Sequence, residues 1–433
     1  MILFSKHSAK GETMTGYGLF LLFFGLITIQ ITTVAKKALV VVPVADLLGA
    51  PIKTFGIAPT VKESYQNIAL CGGKNNSSQG CPRIHQALFN EEVEIISLNE
   101  GKNGDDSEVC ITYEPVFFIT HALHKPQNLF WTNAQNIKPI ATLKKKNVSI
   151  EHLPATPSFK FHAPAHHVPT IVLKKPFFDA SCNVTFSAGT RFVIDTSFSD
   201  EKNYMVFVFD PKTVADRLTI IPKNYALPVA LKTPQEAISC FVALLKEWAH
   251  CPHGQIAYVW GGCSVIQCCP NHDCSETEVT NNGKTISVCI CNSCNQCPQT
   301  GLDCAGLILR AAQICGVPYF FKNTYTLAHY LKPLGHHETV HEGDLIWIPG
   351  HVMIVSDIKN NLLIEARGYS HGFGVIHEIQ LSKVFAGINT YDQLKHAYVN
   401  QCHLARMNKQ GLVVENIKHC KLLKLSSAWD YAY

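Results

Sequence analysis

The sequence predicts a multidomain chain: two small all-β barrels followed by an α+β domain built around a cysteine-headed helix. Three observations predict it. Residues 38–230 hold short strand-like runs separated by Gly, Asn and Pro turns. Residues 233–250 read as a capped amphipathic helix. Residues 301–366 then run from a small-residue turn through Cys304 and a helical apolar stripe into three apolar strands. With 433 residues the chain is long enough for two to four units. Charged residues at 16% against 47% hydrophobic describe a core-forming chain, and a net charge of +4, with Lys144-Lys145-Lys146 read as a solvated loop, gives no case for a nucleic-acid partner.

Residues 1–35 have the features of an export signal. Lys6 and Lys10 precede the apolar stretch Gly18 to Val34, and Thr33-Val34-Ala35 has small-x-small cleavage character. A cleaved signal peptide is the first reading and a retained anchor the second; either places the rest of the chain outside the cytoplasm, in periplasm, envelope or medium. The membrane is then met only through this segment, if it is uncleaved. Residues 38–145 form the first β unit, with a disulfide-closed loop expected between Cys71 and Cys81. Residues 146–230 form the second, with a Pro/His-rich linker in which His162, His166 and His167 are loop histidines rather than a metal site.

The third unit, 233–433, starts at Thr233-Pro234-Gln235-Glu236. Thr caps, Pro takes the first helical position and Glu the third. Leu307, Ile308, Ala311, Ala312 and Cys315, closed by Gly316, predict a helix of about a dozen residues with Cys304 in its first turn. Unpaired N–H groups and the helix dipole there predict a stabilised thiolate, a strong nucleophile. Leu345 to Ile348, a Pro-Gly turn, a strand from His351 and a strand over Asn361 to Ala366 follow. His351 would take the thiol proton, and Glu365 would orient the imidazole. His371 and His377 are the alternatives for that third position. A helix is expected from Ala386 to Ala397; the tail from Val384 to Tyr433 carries no assigned chemistry.

Tyr258-Val259-Trp260-Gly261-Gly262, Asp303-Cys304-Ala305-Gly306-Leu307, Gly343-Asp344-Leu345, His351-Val352 and Ile364-Glu365-Ala366 occur in the order seen in NlpC/P60 cell-wall cysteine peptidases. Over about 235–400 the chain resembles that family, whose catalytic domain is papain-like. Val42 to Leu47 with Gln86 to Val93, and Ser187 to Phe192, resemble the bacterial SH3-like domains that precede some of its members. The resemblance implies Cys304 as nucleophile, His351 as base, and Tyr258 and Trp260 lining the site, with Tyr258 near the oxyanion. Two positions depart from the pattern: the third catalytic group is Glu365 rather than His, Asn or Gln, and Ala305 replaces the common Ser. Members with paired SH3-like domains imply a γ-D-glutamyl–diamino acid endopeptidase acting on peptidoglycan or muropeptides. Asp303 then corresponds to the carboxylate that binds a substrate α-amine, with a helix cap as the equal alternative, and Glu91 would contribute from the first SH3-like unit. No cofactor is implied. Two other classes remain open, a non-catalytic cell-wall binding protein and an acyltransferase on the same Cys–His fold.

An insert at 263–297 separates the Tyr-Val-Trp-Gly-Gly motif from the nucleophile. It holds Cys263, Cys268, Cys269, Cys274, Cys289, Cys291, Cys294 and Cys297. In an exported chain these predict disulfides, with zinc the second reading, and a rim beside the cleft.

Overall fold

Alternating strand runs and sharp turns generate the first layer. In the computed structural model, which describes residues 36–431 apart from 59, 70–80, 101–106, 121–124, 160–167, 211–212, 214, 252–254, 267–274, 282–283 and 291–299, the strands are β1 (Lys36–Val40), β2 (Val44–Leu48), β3 (Arg83–Leu88), β4 (Glu92–Asn99), β5 (Glu108–Thr112), β6 (Leu129–Asn133) and β7 (Ile137–Pro139). They make one antiparallel sheet in the order β3-β2-β6-β5-β4-β1-β7. The β3–β4 turn uses Asn90 at φ 69°, a conformation Asn tolerates. Residues 1–35, read as an export signal, the loop between Cys71 and Cys81, the linker histidines and six of the eight cysteines of the insert lie outside the described residues.

The second layer pairs β8 (Thr170–Leu173), β9 (Phe177–Asp179), β10 (Val184–Phe186), β11 (Arg191–Val193), β12 (Asn203–Phe209), β13 (Asp216–Pro222) and β14 (Ala226–Pro228). These form a three-stranded sheet, β11-β8-β14, and two hairpins, β9-β10 and β12-β13. Strands β10 and β11 are separated by a turn in which Gly189 takes φ 96°. All sheets are antiparallel, and no closed barrel occurs among the described residues.

The third layer mixes helices with a sheet. Helix α1 (Pro234–Ala249) starts at the expected capping box: Thr233 accepts from Glu236 N–H, and the Glu236 carboxylate accepts from Thr233 N–H. Two short strands, β15 (Cys263–Ser264) and β16 (Gly301–Leu302), pair with each other across the insert. Helix α2 (Cys304–Cys315) ends at Gly316 in the left-handed region, φ 84°. Helix α3 (Thr324–Tyr330) leads to β17 (Leu345–Ile348), β18 (His351–Asp357), β19 (Leu362–Arg367) and β20 (Val375–Gln380). Beyond them lie α4 (Tyr391–Val399), the hairpin β21 (Leu404–Met407) and β22 (Val413–Ile417), and β23 (Lys421–Leu423), which pairs with β17. The expected helix over Ala386 to Ala397 is shorter, because Thr390 caps a fresh start at Tyr391. No helix among the described residues is long and apolar enough to cross a membrane.

Strand alternation gives the sheet two apolar faces. Leu345, Val352, Ile354, Ile364, Ala366 and Ile376 share one core with α1 and α2. Ile346, Ile348, Met353, Val355 and Leu363 pack with Leu381, Phe385 and Leu394 on the other side. The first core also takes in Ala38, Val93 and Ile111 of the first sheet, and residues 35–433 form one compact unit.

The seam between layers is polar and buried, and Arg310 of α2 is its centre. Its side chain is fully buried. Its Nε donates to Cys263 O (2.9 Å), Nη1 to Glu91 Oε1 (3.2 Å) and Gln313 Oε1 (3.3 Å), and Nη2 to Gln86 O (3.2 Å). A Cβ at Gly189 would lie 2.5 Å from Arg310 Cδ, so the second layer reaches this seam only as glycine. The carbonyl of Val265 accepts from Ala188 N–H (3.1 Å), which closes the junction. Removing one partner of a buried ion pair leaves a charge stranded in low dielectric. Arg310→Leu is therefore expected to lose about 3–5 kcal/mol, read by chemical denaturation, with part regained in Arg310→Leu/Glu91→Gln. An unchanged midpoint would remove Arg310 as the organiser of the seam.

Candidate active site

The Tyr-Val-Trp-Gly-Gly segment packs against the head of α2 by close backbone contact. A Cβ at Gly306 would stand 2.1 Å from Gly262 O, and one at Gly262 would stand 2.5 Å from Gly301 O. Side chains at these positions would push α2 off the segment. Asp303 N–H donates to Gly262 O (3.2 Å), and Tyr258 forms a parallel bridge with Leu302. Tyr258 N–H donates to Gly374 O (2.8 Å) at the mouth of β20, so the motif runs between the nucleophile helix and the sheet.

Cys304 stands at the first position of α2 and is 8% exposed. The β18–β19 ladder starts at Ile354↔Ile364. Ahead of it, the backbone N–H groups of Val352 and, in the helix itself, of Ala305 lie close enough to the Cys304 sulfur to favour its anion. The nucleophile thus meets β18 one residue beyond His351. Among the described contacts there is no direct hydrogen bond between the sulfur and the His351 ring. The expected thiolate is corrected by this environment. Burial, and next the Asp303 carboxylate, push the thiol up to about 12, and the two N–H groups and Lys322 only partly oppose them. Cys304 rests as a neutral thiol.

His351 and Glu365 do come together. His351 Nε2 lies 2.7 Å from Glu365 Oε2, and Glu365 is fully buried. Burial lowers the imidazole to about 4, although the Glu365 hydrogen bond pulls the other way. At neutral pH His351 is therefore an unprotonated base. Its Nε2 is occupied by Glu365, so Nδ1 is the nitrogen left to accept a proton. Burial alone would raise the Glu365 carboxyl; the hydrogen bond from His351, the nearby His377 and the charge of Arg406 outweigh it and hold Glu365 well below the usual carboxylate range.

Three further side chains surround that carboxylate. Arg406 Nη2 on β21 donates to Oε2 (3.2 Å). His377 Nε2 on β20 lies 3.3 Å from Oε1, without hydrogen-bond geometry, and Arg367 Nη1 lies 3.6 Å from Oε1. Between the sequence alternatives, Glu365 is the group that holds His351; His377 holds Glu365, and His371 bonds Ser370 beside them (2.9 Å). Arg406 lies in the tail that carried no assigned chemistry. Its sequence signal was weak: one arginine between apolar positions of an exposed hairpin.

The remaining candidates separate. The Tyr258 ring packs over Gly368, and burial first and Cys304 second raise its hydroxyl, which stays a neutral donor beside the sulfur. Trp260 is 43% exposed, and its carbonyl accepts from Arg83 Nη1 (3.2 Å). Asp303 is the cap of α2: its Oδ1 accepts from Gly306 N–H (2.5 Å), while Lys322 Nζ bonds Oδ1 (3.1 Å) and Oδ2 (2.9 Å). Both oxygens are engaged from within. Glu91 is 5% exposed; it accepts from Leu88 N–H (2.6 Å), the Tyr113 hydroxyl and Arg310. It holds α2 rather than facing a substrate.

A neutral, buried thiol reacts slowly with electrophiles. Iodoacetamide labelling of Cys304 at pH 7 is expected to be at least about tenfold slower than that of a free cysteine, and to rise through pH 10 without a plateau near neutrality. A plateau near pH 7 would show a preformed thiolate–imidazolium pair instead. No family model matches the chain, and neither a curated protein nor a solved structure matches it.

Proposed function

We propose that the chain is an exported cysteine peptidase of the NlpC/P60 type, with SH3-like units preceding a papain-like domain. It hydrolyses the γ-D-glutamyl–diamino acid bond of peptidoglycan stem peptides. One observation carries the reading: a cysteine at the head of a buried helix meets the strand whose first residue, His351, is paired at 2.7 Å with a buried carboxylate. That arrangement supplies a nucleophile, a base and an orienting anion in one place.

The chemistry follows from the protonation states. As Cys304 attacks the γ-carbonyl carbon, His351 Nδ1 takes the thiol proton, so the ion pair forms with the new C–S bond rather than before it. Glu365 stabilises the imidazolium through Nε2. The Tyr258 hydroxyl is a neutral donor suited to the developing oxyanion. Collapse of the tetrahedral species breaks the C–N bond, and the imidazolium returns its proton to the departing amine. Water, deprotonated by the same imidazole, then cleaves the thioester and releases the carboxylate and free thiol.

Incubation with L-Ala-γ-D-Glu-diaminopimelate is expected to release free diaminopimelate with the wild-type chain and none with Cys304→Ala, read by mass spectrometry. Below about pH 4 His351 becomes protonated and can no longer accept the thiol proton. The acidic limb of kcat/KM is therefore expected near 4 and not near the ordinary histidine value. Absence of release by a folded wild-type chain would remove the peptidase reading. Because Lys322 already neutralises Asp303, N-acetylation of the substrate alanine is expected to change kcat/KM by less than about threefold, an energy below a typical charged hydrogen bond. A loss of a hundredfold would return Asp303 to the role of amine receptor.

A further inference from the structure

Glu365 is a carboxylate with no exposed surface, in the middle of an apolar sheet. An ionised carboxylate persists there only with fixed positive charge and hydrogen bonds close by. Two guanidiniums approach it. Arg367, the neighbour two residues along β19, spends its Nη2 on Met407 O (2.7 Å), lies over the Phe373 ring (4.9 Å) and comes no nearer than 3.6 Å to Oε1. Arg406 comes from outside the central sheet, on the β21–β22 hairpin, and is itself 4% exposed. Its Nη2 bonds Oε2 at 3.2 Å, the same oxygen that receives His351 Nε2.

We propose that Arg406 is a positioning residue for the Cys304–His351 pair: its guanidinium pins the Glu365 oxygen that faces the imidazole, and its charge keeps that carboxylate anionic and the imidazole unprotonated. The inference rests on the peptidase reading for its catalytic meaning, but the charge coupling stands on the contacts alone. A second donor on Oε2, beside His351 Nε2, directs the lone pair left for the imidazole and fixes the ring. The positive charge also repels a proton on the imidazole next to it. Charged and titratable groups around His351 and Glu365 come from the neighbouring elements: Arg367 from β19, His377 from β20, Arg406 and Glu415 from the hairpin, and His371 from the turn before β20, while Cys304 at the head of α2 has Asp303 and Lys322 beside it. Glu415 lies 3.9 Å from Arg406 Nη1 and is 43% exposed at its side chain, so it screens the guanidinium weakly. The C-terminal hairpin thereby becomes part of the working site.

The test reads the His351 titration directly, by proton–carbon NMR of histidine-labelled full-length chain, with the resonance identified by its loss in His351→Gln. In Arg406→Gln the His351 titration is expected to move up by about one unit or more. In Arg406→Lys, which keeps the charge but loses the fork, the movement is expected in the same direction and smaller. With the diaminopimelate substrate, Arg406→Gln is expected to lower kcat with KM unchanged, more at pH 5 than at pH 8, and Arg406→Lys to recover part of the loss. A hairpin arginine with a purely structural role would lower the melting temperature and leave the titration in place; that result overturns the inference. If Arg406→Gln does not fold, Arg406→Met, which also removes the charge, is read in its place, and an unmoved titration there overturns it equally. A shifted titration with no turnover by the wild type would overturn the peptidase reading alone.

Discussion

Burial of the Arg310 guanidinium is the constraint on which the rest of the structure depends. A single side chain of the nucleophile helix donates to both the first sheet and the segment after the glycine motif, and Gly189 of the second layer packs directly on it. A planar group with five donors in fixed directions is satisfied only when all its acceptors are in place. The three layers are thereby held to one arrangement, and α2 is seated with its first residue against β18. The glycine contacts at 262, 301 and 306 set the remaining distance. The position of Cys304 is thus a property of the whole unit rather than of the helix that carries it.

A second buried charge, Glu365, has the same logic at the other end of the site. Its desolvation is offset by His351, His377, Arg367 and Arg406, drawn from four strands. The two networks differ in kind. Around Arg310 every guanidinium nitrogen finds a hydrogen-bond acceptor, which favours rigidity. Around Glu365 several polar atoms, including Arg406 Nε, Arg367 Nη1 and His377 Nε2, lack a hydrogen-bond partner. Such a centre responds to changes of charge more strongly than a saturated one.

The environment of Cys304 shows how competing electrostatic effects resolve. A helix N-terminus favours an anion by roughly 0.3–1 kcal/mol at an exposed position. Burial, with a carboxylate on the adjacent residue, acts in the opposite direction and is larger. The outcome is a neutral Cys304 thiol and a neutral His351 imidazole at rest. Lys322, which cancels the Asp303 charge, keeps this balance from tilting further.

Local pattern alone determined much of this molecule. The Thr233 capping box, the limits of the Cys304 helix, the strand beginning at His351 and the short strands between turns were all legible, because caps, glycine stops and alternation act within a few residues. The identity of Cys304, His351 and Glu365 as candidates was legible too, from order and spacing. What only the tertiary structure decided were the quantities that depend on distant charges and on water. Asp303 and Glu91 are engaged inside the protein because Lys322 and Arg310 reach them from 19 and 219 residues away. The thiol is neutral because the site is dry. Arg406 joins the site because the hairpin folds back 41 residues beyond Glu365. Chain spacing carries no record of such approaches, and burial has no local signature.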